Sequence, residues 1–141
     1  MIKTLLENAA KAVQIEHRIR KVTPCFAGEP NFESECRSYH VGRRQDWVSW
    51  NPHTDDGDAL RLAVTLRLPL EFRAPGFGFD HTPENNRVMC GSYWDNREST
   101  HQMLGELVGS DPYAATRLAI VRAAAAIGES MLEAKLKEKN T

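Results

Sequence analysis

The stretch Asp111-Pro112-Tyr113-Ala114-Ala115-Thr116-Arg117-Leu118-Ala119-Ile120-Val121-Arg122-Ala123-Ala124-Ala125-Ala126-Ile127-Gly128 decides how the rest of the chain is read. Asp111 offers a side-chain acceptor to the free amides of a first helical turn, and Pro112 lacks the amide that would go unpaired there. The segment predicts a helix from 111 to about 135. Its Ala115, Leu118, Ala119, Ala123, Ala126 and Ile127 form a narrow face of small residues, which lets a second element approach closely. Arg122 stands among Ala119, Val121, Ala123 and Ala126, so its guanidinium must reach solvent or meet a carboxylate. Asp55 or Asp56 is the expected partner, with Arg122 and Asp55 as the preferred pair, tying the last helix to the start of the one before it.

Working outward, Asn51-Pro52-His53-Thr54-Asp55-Asp56-Gly57-Asp58 opens a helix over 55 to 68, because Thr54 or Asp55 can cap it and the other carboxylates favour its positive end. Pro69 marks its limit. Leu70-Glu71-Phe72-Arg73 alternates at period two, and Arg87 to Trp94 follows a Gly, Pro and Asn stretch from 74 to 86, so a long-tipped hairpin is expected. A short helical piece is read from His101 to Val108. Toward the N-terminus, Ile2, Leu5, Leu6, Ala9, Ala12 and Val13 share one helical face, and the helix is expected to run to about 20, short of Pro24. Cys25 to Glu35 reads as a loop, and Ser38 to Val41 with Trp47 to Trp50 as a first hairpin. The expected fold is α+β: an antiparallel β-sheet of about four strands sandwiched by α-helices. One domain over 1–141 is expected, with a helix and loop in 1–40, the core in 47–128, and a frayed, alternately charged tail over 136–141.

Two of these stretches carry a resemblance. Asn51-Pro52-His53-Thr54-Asp55-Asp56-Gly57-Asp58-Ala59-Leu60 and Leu118-Ala119-Ile120-Val121-Arg122-Ala123-Ala124 resemble the lead-in to one helix and the body of another in the phage ABA sandwich domain family, small proteins of phages and prophages. Val121 stands where that family has cysteine, and Gly57 and Asp58 where it favours alanine or bulkier apolar residues. The likeness spans Trp47 to about Gly128. It implies an antiparallel sheet between helices and an origin in a phage or prophage, and it implies no reaction.

The whole composition sets limits. Apolar residues make up 41% of 141 residues and charged residues 26%, enough apolar surface for a core without disulfides and too much for a disordered chain. Residues 1–70 carry a net charge of +1 and 71–141 of −2, so neither half has the basic excess of a duplex-binding surface. Cys25, Cys36 and Cys90 are too widely spaced for a CxxC motif and are expected to be reduced thiols in a cytoplasm, that of an infected or lysogenic bacterial host. Met1 to Ala12 carries Lys3, Glu7 and Lys11 and does not read as a signal peptide, and no run approaches the roughly 20 apolar residues of a membrane span.

Three constellations have chemical content. His53, Asp55, Asp56 and Asp58 offer one imidazole and three carboxylates to a divalent ion, without the order of an EF-hand or a zincin; acidic residues ahead of a helix also serve simply as caps. Arg43, Arg44, Trp47, Trp50, Tyr93 and Trp94 combine guanidinium groups with flat rings, a set suited to stacking on a base and clamping phosphate if the rings are exposed, or to core filling if they are not. Among the thiols, Cys90 has His81 and His101 nearby in sequence and Cys25 or Cys36 could meet His40, yet no nucleophile signature accompanies them.

The favoured expectation is a non-enzymatic accessory protein that binds a host protein or a small nucleotide signal, blocking or sequestering it to antagonise host defence. No cofactor and no membrane partner are expected, and self-association into a homodimer or higher oligomer through the alanine face or the aromatic strands is. The alternatives are a metal-assisted hydrolase using His53, Asp55, Asp56 and Asp58, and a nucleic-acid-binding protein using Arg18, Arg20, Lys21, Arg43 and Arg44.

Overall fold

The structure, a computed structural model, describes residues 1–28, 31–40, 43–44, 46–73, 87–91, 103–107 and 111–140. The elements run α1 (Ile2–Ala12), β1 (Glu16–Lys21), β2 (Phe32–Arg37), β3 (Tyr39–His40), β4 (Arg43–Arg44), β5 (Val48–Ser49), α2 (Asp56–Leu66), β6 (Leu70–Arg73), β7 (Arg87–Gly91), β8 (Met103–Leu107) and α3 (Pro112–Lys139). The fold is α+β with antiparallel pairing throughout the described strands. Those strands do not form the expected single sheet of about four; they divide into β1-β2-β5, the ribbon β3-β4, and β6-β7-β8.

The long helix forms as its sequence requires. The Asp111 carboxylate accepts from the amides of Tyr113 and Ala114, both at 3.1 Å, and Pro112 begins the first turn. α3 continues to Lys139, so most of the tail expected to fray is helical. Its buried positions are Ala115, Ala119, Ile120, Val121, Ala123, Ala124, Ala125, Ile127 and Gly128, a broader face than the anticipated stripe. That face is covered from within the chain: α1 and α2 pack against it, and β7 and β8 also touch α3. The core is one cluster that joins Leu6, Ala9 and Ala10 of α1 to Ala59, Leu62 and Ala63 of α2, Val88 and Cys90 of β7, Trp50, Leu68, and the alanines of α3.

The tightest point is the approach of α1 to α3. A β-carbon at Gly128 would lie 1.9 Å from the carbonyl oxygen of Asn8, so only glycine allows this separation. Asn8 is itself buried, and its side-chain amide donates to Glu129 Oε1 at 3.3 Å, which satisfies a polar group that would otherwise weaken the crossing.

Two helix ends fall where the sequence carries no glycine. After α1, the Gln14 amide donates to Lys11 O and the Ile15 amide to Ala10 O, with Gln14 in the left-handed region at φ 58. After α2, Arg67 at φ 53 and the Leu68 amide repeat the pattern on Val64 O and Ala63 O. Both are Schellman closures, in which a left-handed residue lets the following amides reach back to the last free carbonyls. The first closure ends α1 at Ala12, so the helix expected to extend to about 20 is instead followed by strand β1.

The expected loop over 25–35 contains most of strand β2, pairing with β1 from Glu16 opposite Arg37 to Lys21 opposite Phe32. The first hairpin is also rearranged: Tyr39 and His40 pair with Arg44 and Arg43, while Val48 and Ser49 pair with Cys36 and Glu35 of β2. The second hairpin is present, with Leu70 opposite Cys90 and Arg73 opposite Arg87, whereas Met103–Leu107 is a strand on β7 and not a helix. The tip over 74–86 lies outside the described residues.

Gly128→Ala is expected to cost about 1–3 kcal/mol or more, the range for forcing an atom into a filled interface. Gly57→Ala, where the new carbon would meet only the Arg61 guanidinium and the Asp55 carboxylate at 3.2 Å or more, should stay within about 0.5 kcal/mol. Urea unfolding of both variants checks the contrast; equal costs would contradict the close crossing.

Candidate functional site

The acidic loop ahead of α2 is densely hydrogen-bonded. Asn51 O accepts from the amides of Thr54 and Asp55, and Asn51 Oδ1 from the amide of His53 at 3.1 Å, which folds the loop around buried Pro52. Asp55 caps α2 by accepting from the Asp58 amide at 2.8 Å. Asp58 turns back, taking the Asn51 amide on Oδ2 at 2.9 Å and the Arg61 guanidinium on Oδ1 at 2.8 Å. From α3, Arg117 Nε donates to His53 O at 2.9 Å and Nη1 to Asp56 Oδ1 at 2.6 Å.

The structure gives the carboxylates of the expected metal set, His53 with Asp55, Asp56 and Asp58, partners within the protein. Their carboxylates are aimed at a helix end, at backbone amides and at two different arginines, and among the described residues no three His, Cys, Asp or Glu groups are placed to hold an ion. Burial, and then the Arg117 charge, hold the His53 imidazole below its usual range, so it stays neutral near pH 7. Arg117 and Asp56 form a tie between α3 and the start of α2, the kind of tie expected of Arg122 and Asp55, and Arg122 is half-buried further along α3.

Of the aromatic and arginine set, Trp47 and Trp50 are described, and they lie in different surroundings. Trp50 is buried in the core at 8% exposure, so it is not a free platform. Trp47 is half-buried on the outer face of β1-β2-β5, where the guanidinium carbons of Arg18 and Arg37 lie 4.3 and 4.5 Å from its ring centroid. Those contacts are cation–π interactions that already occupy the ring. Tyr93 and Trp94, and the side chains of Arg43 and Arg44, lie outside the described residues.

The same outer face carries a ladder of opposite charges. Arg20 meets Glu33 at 2.6 Å, Arg18 meets Glu35 at 3.3 Å, and Arg37 pairs with Glu16, each across the β1-β2 register. Arg18 and Arg20, two members of the expected nucleic-acid set, are therefore matched by carboxylates, which removes the unbalanced positive charge that phosphate binding draws on.

The thiols are placed as follows. Cys90 is fully buried, and burial pushes its thiol up to about 11, so it is an apolar core group at neutral pH. Cys36 is half-buried and raised first by burial and then by the Asp58 charge, while Cys25 is exposed. His81, His101 and the side chain of His40 lie outside the described residues.

On the inner face of the same sheet is a contact the sequence did not single out. His17 Nε2 lies 2.7 Å from Ser34 Oγ, and the imidazole meets the Trp50 ring at a centroid distance of 5.6 Å and an angle of 72°. Its only sequence signal is the alternation of Glu16-His17-Arg18-Ile19-Arg20 against Phe32-Glu33-Ser34-Glu35-Cys36, legible once the two strands are known to pair.

Comparisons of the chain with protein-family models, with curated proteins and with solved structures each return no match.

Arg117→Ala removes a charged donor from a main-chain oxygen and from Asp56 together, and about 1–2 kcal/mol of stability should be lost. Asp56→Ala removes only the exposed half of the ion pair, and under about 1 kcal/mol is expected. Chemical denaturation measures both; a smaller loss for Arg117→Ala than for Asp56→Ala would contradict this geometry.

Proposed function

We propose that this chain is a non-enzymatic accessory protein of phage or prophage origin that binds a host protein or a small nucleotide signal and thereby antagonises host defence. The origin rests on the two stretches that resemble the phage ABA sandwich family. The non-catalytic part rests on one observation: the side chains with the most chemical look are taken up by the fold itself. Asp55 and Asp58 hold the start of α2, Asp56 holds Arg117, Cys90 is sealed in the core, and Ser34 is 2% exposed. Catalysis needs a nucleophile or base that a substrate can reach.

Exposed apolar side chains on α2 support a protein partner. Leu60 and Val64, one turn apart on α2, are 60% and 67% exposed, and large apolar side chains at such spacing suit a helix-facing contact. A nucleotide would draw on Arg43, Arg44, Tyr93 and Trp94, flat rings and guanidinium groups of the kind that stack on a base and clamp phosphate. The alanine face of α3 is covered by α1 and α2, so self-association would use other surfaces, and a cytoplasmic location in the host is part of the same proposal. No helix among the described residues is long and apolar enough to cross a membrane.

A thermal-shift screen against nucleotides and cellular metabolites, with each mixture then analysed for conversion, tests the reading. A raised Tm without product supports it, and conversion of any compound overturns it. Addition of EDTA should leave the Tm unchanged, because the carboxylates of the α2 loop already have protein partners; a fall in Tm on chelation restores the hydrolase alternative.

A further inference from the structure

His17 stands at the meeting point of three parts of the chain. It belongs to β1, its Nε2 pairs with Ser34 of β2, and its ring packs against Trp50, whose own amide donates to Ser34 O at 2.9 Å. Ser34 thus holds the imidazole with its hydroxyl and the tryptophan with its carbonyl. The second ring nitrogen, Nδ1, is buried and has no hydrogen-bond partner. A neutral imidazole tolerates this, since one nitrogen then carries only a lone pair. A charged imidazole carries a proton on both nitrogens, and the proton on Nδ1 has no acceptor.

The charged and titratable groups around it give limited help. From α1, which lies over this face, come Glu7 and Lys3, the latter 5.3 Å from the Phe32 ring centroid. From β2 comes Cys36, directly opposite His17 in the register, and beyond it Asp58 of α2, already engaged with Arg61. Glu16 and Arg18, its neighbours on β1, belong to the outer ladder. Among the described residues Glu7 is the one that favours a charged His17, and it is exposed on α1.

We infer that His17 is an acid-sensitive latch: uncharged, it fastens the inner face of β1-β2-β5 to Trp50 beneath α1, and on protonation it releases that face and opens Trp50 to water. Burial holds the imidazole below its usual 6.5, and Glu7 pulls it upward with the smaller effect. A base with a folded value below its unfolded one contributes its full stabilisation above 6.5, and the contribution is lost as the pH falls from there through the folded value. The acid side of neutrality is therefore where the latch opens. His53 is shifted in the same direction at the other end of the acidic loop, so the readout must belong to the His17 and Trp50 pair alone.

NMR on the full chain supplies it, following the His17 ring proton and the Trp50 indole proton from pH 8 to pH 4.5. The expected result is a His17 midpoint below 6.5 and a Trp50 shift with the same midpoint. Glu7→Gln, at an exposed position, should move both midpoints further down. His17→Gln, which retains a polar partner for Ser34 and cannot charge, should hold the Trp50 signal constant over the same range. A His17 midpoint at or above 6.5, a Trp50 signal that does not follow it, or midpoints unmoved by Glu7→Gln would each overturn the latch, and none of these depends on His17→Gln folding.

Discussion

The contact of Asn8 with Gly128 is the constraint on which the rest of the architecture depends. α3 packs against α1, α2, β7 and β8, and its burial of small side chains works only if the neighbouring backbones come close. Alanine contributes little area by itself, so a face of Ala115, Ala119, Ala123 and Ala124 must gain its stability from dense packing and not from side-chain size. Gly128 takes this to the limit by admitting the Asn8 carbonyl where a methyl group would stand. Once α1 is held there, the sharp turn through Gln14 directs β1 beneath it and sets the position of the first sheet.

That sheet shows how charge can specify structure while adding little to its stability. Exposed ion pairs of the Arg20 and Glu33 kind contribute little, because water screens them. Their value lies in the alternatives they disfavour. Sliding β1 by two residues along β2 would set Glu16 against Glu35 in one direction, or Arg18 against Arg37 in the other, and like charges directly opposite destabilise a ladder. The same pairing neutralises the arginines that, in the bare sequence, look like a basic patch.

The legibility of the sequence followed from how local each signal was. The starts of α2 and α3 were readable because Asp55, Asp111 and Pro112 act within a turn of themselves. The β6-β7 hairpin was readable from its alternation. The end of α1 was not, because Gln14 and not glycine adopts the left-handed turn, and β1 and β2 were not, because their outward faces are charged and make sense only as partners. The candidate sites follow the same rule. Asp55, Asp56 and Asp58 look like ligands while their partners are unknown; Arg117, 61 residues from Asp56, and the Asn51 amide turn them into structural groups. His17 and Ser34 carry no local mark, since their contact is diagonal across a strand pair that the sequence had assigned to a helix and a loop.

Native-state amide hydrogen exchange tests the central place of the α1 and α3 crossing most directly. The amides of Leu6 to Ala12 and of Ala119 to Gly128 should exchange with one common opening free energy, equal to that of global unfolding, because neither helix can leave the other without exposing the core. Exchange of the α1 amides through a separate, lower-energy opening, with α3 still protected, would contradict the account.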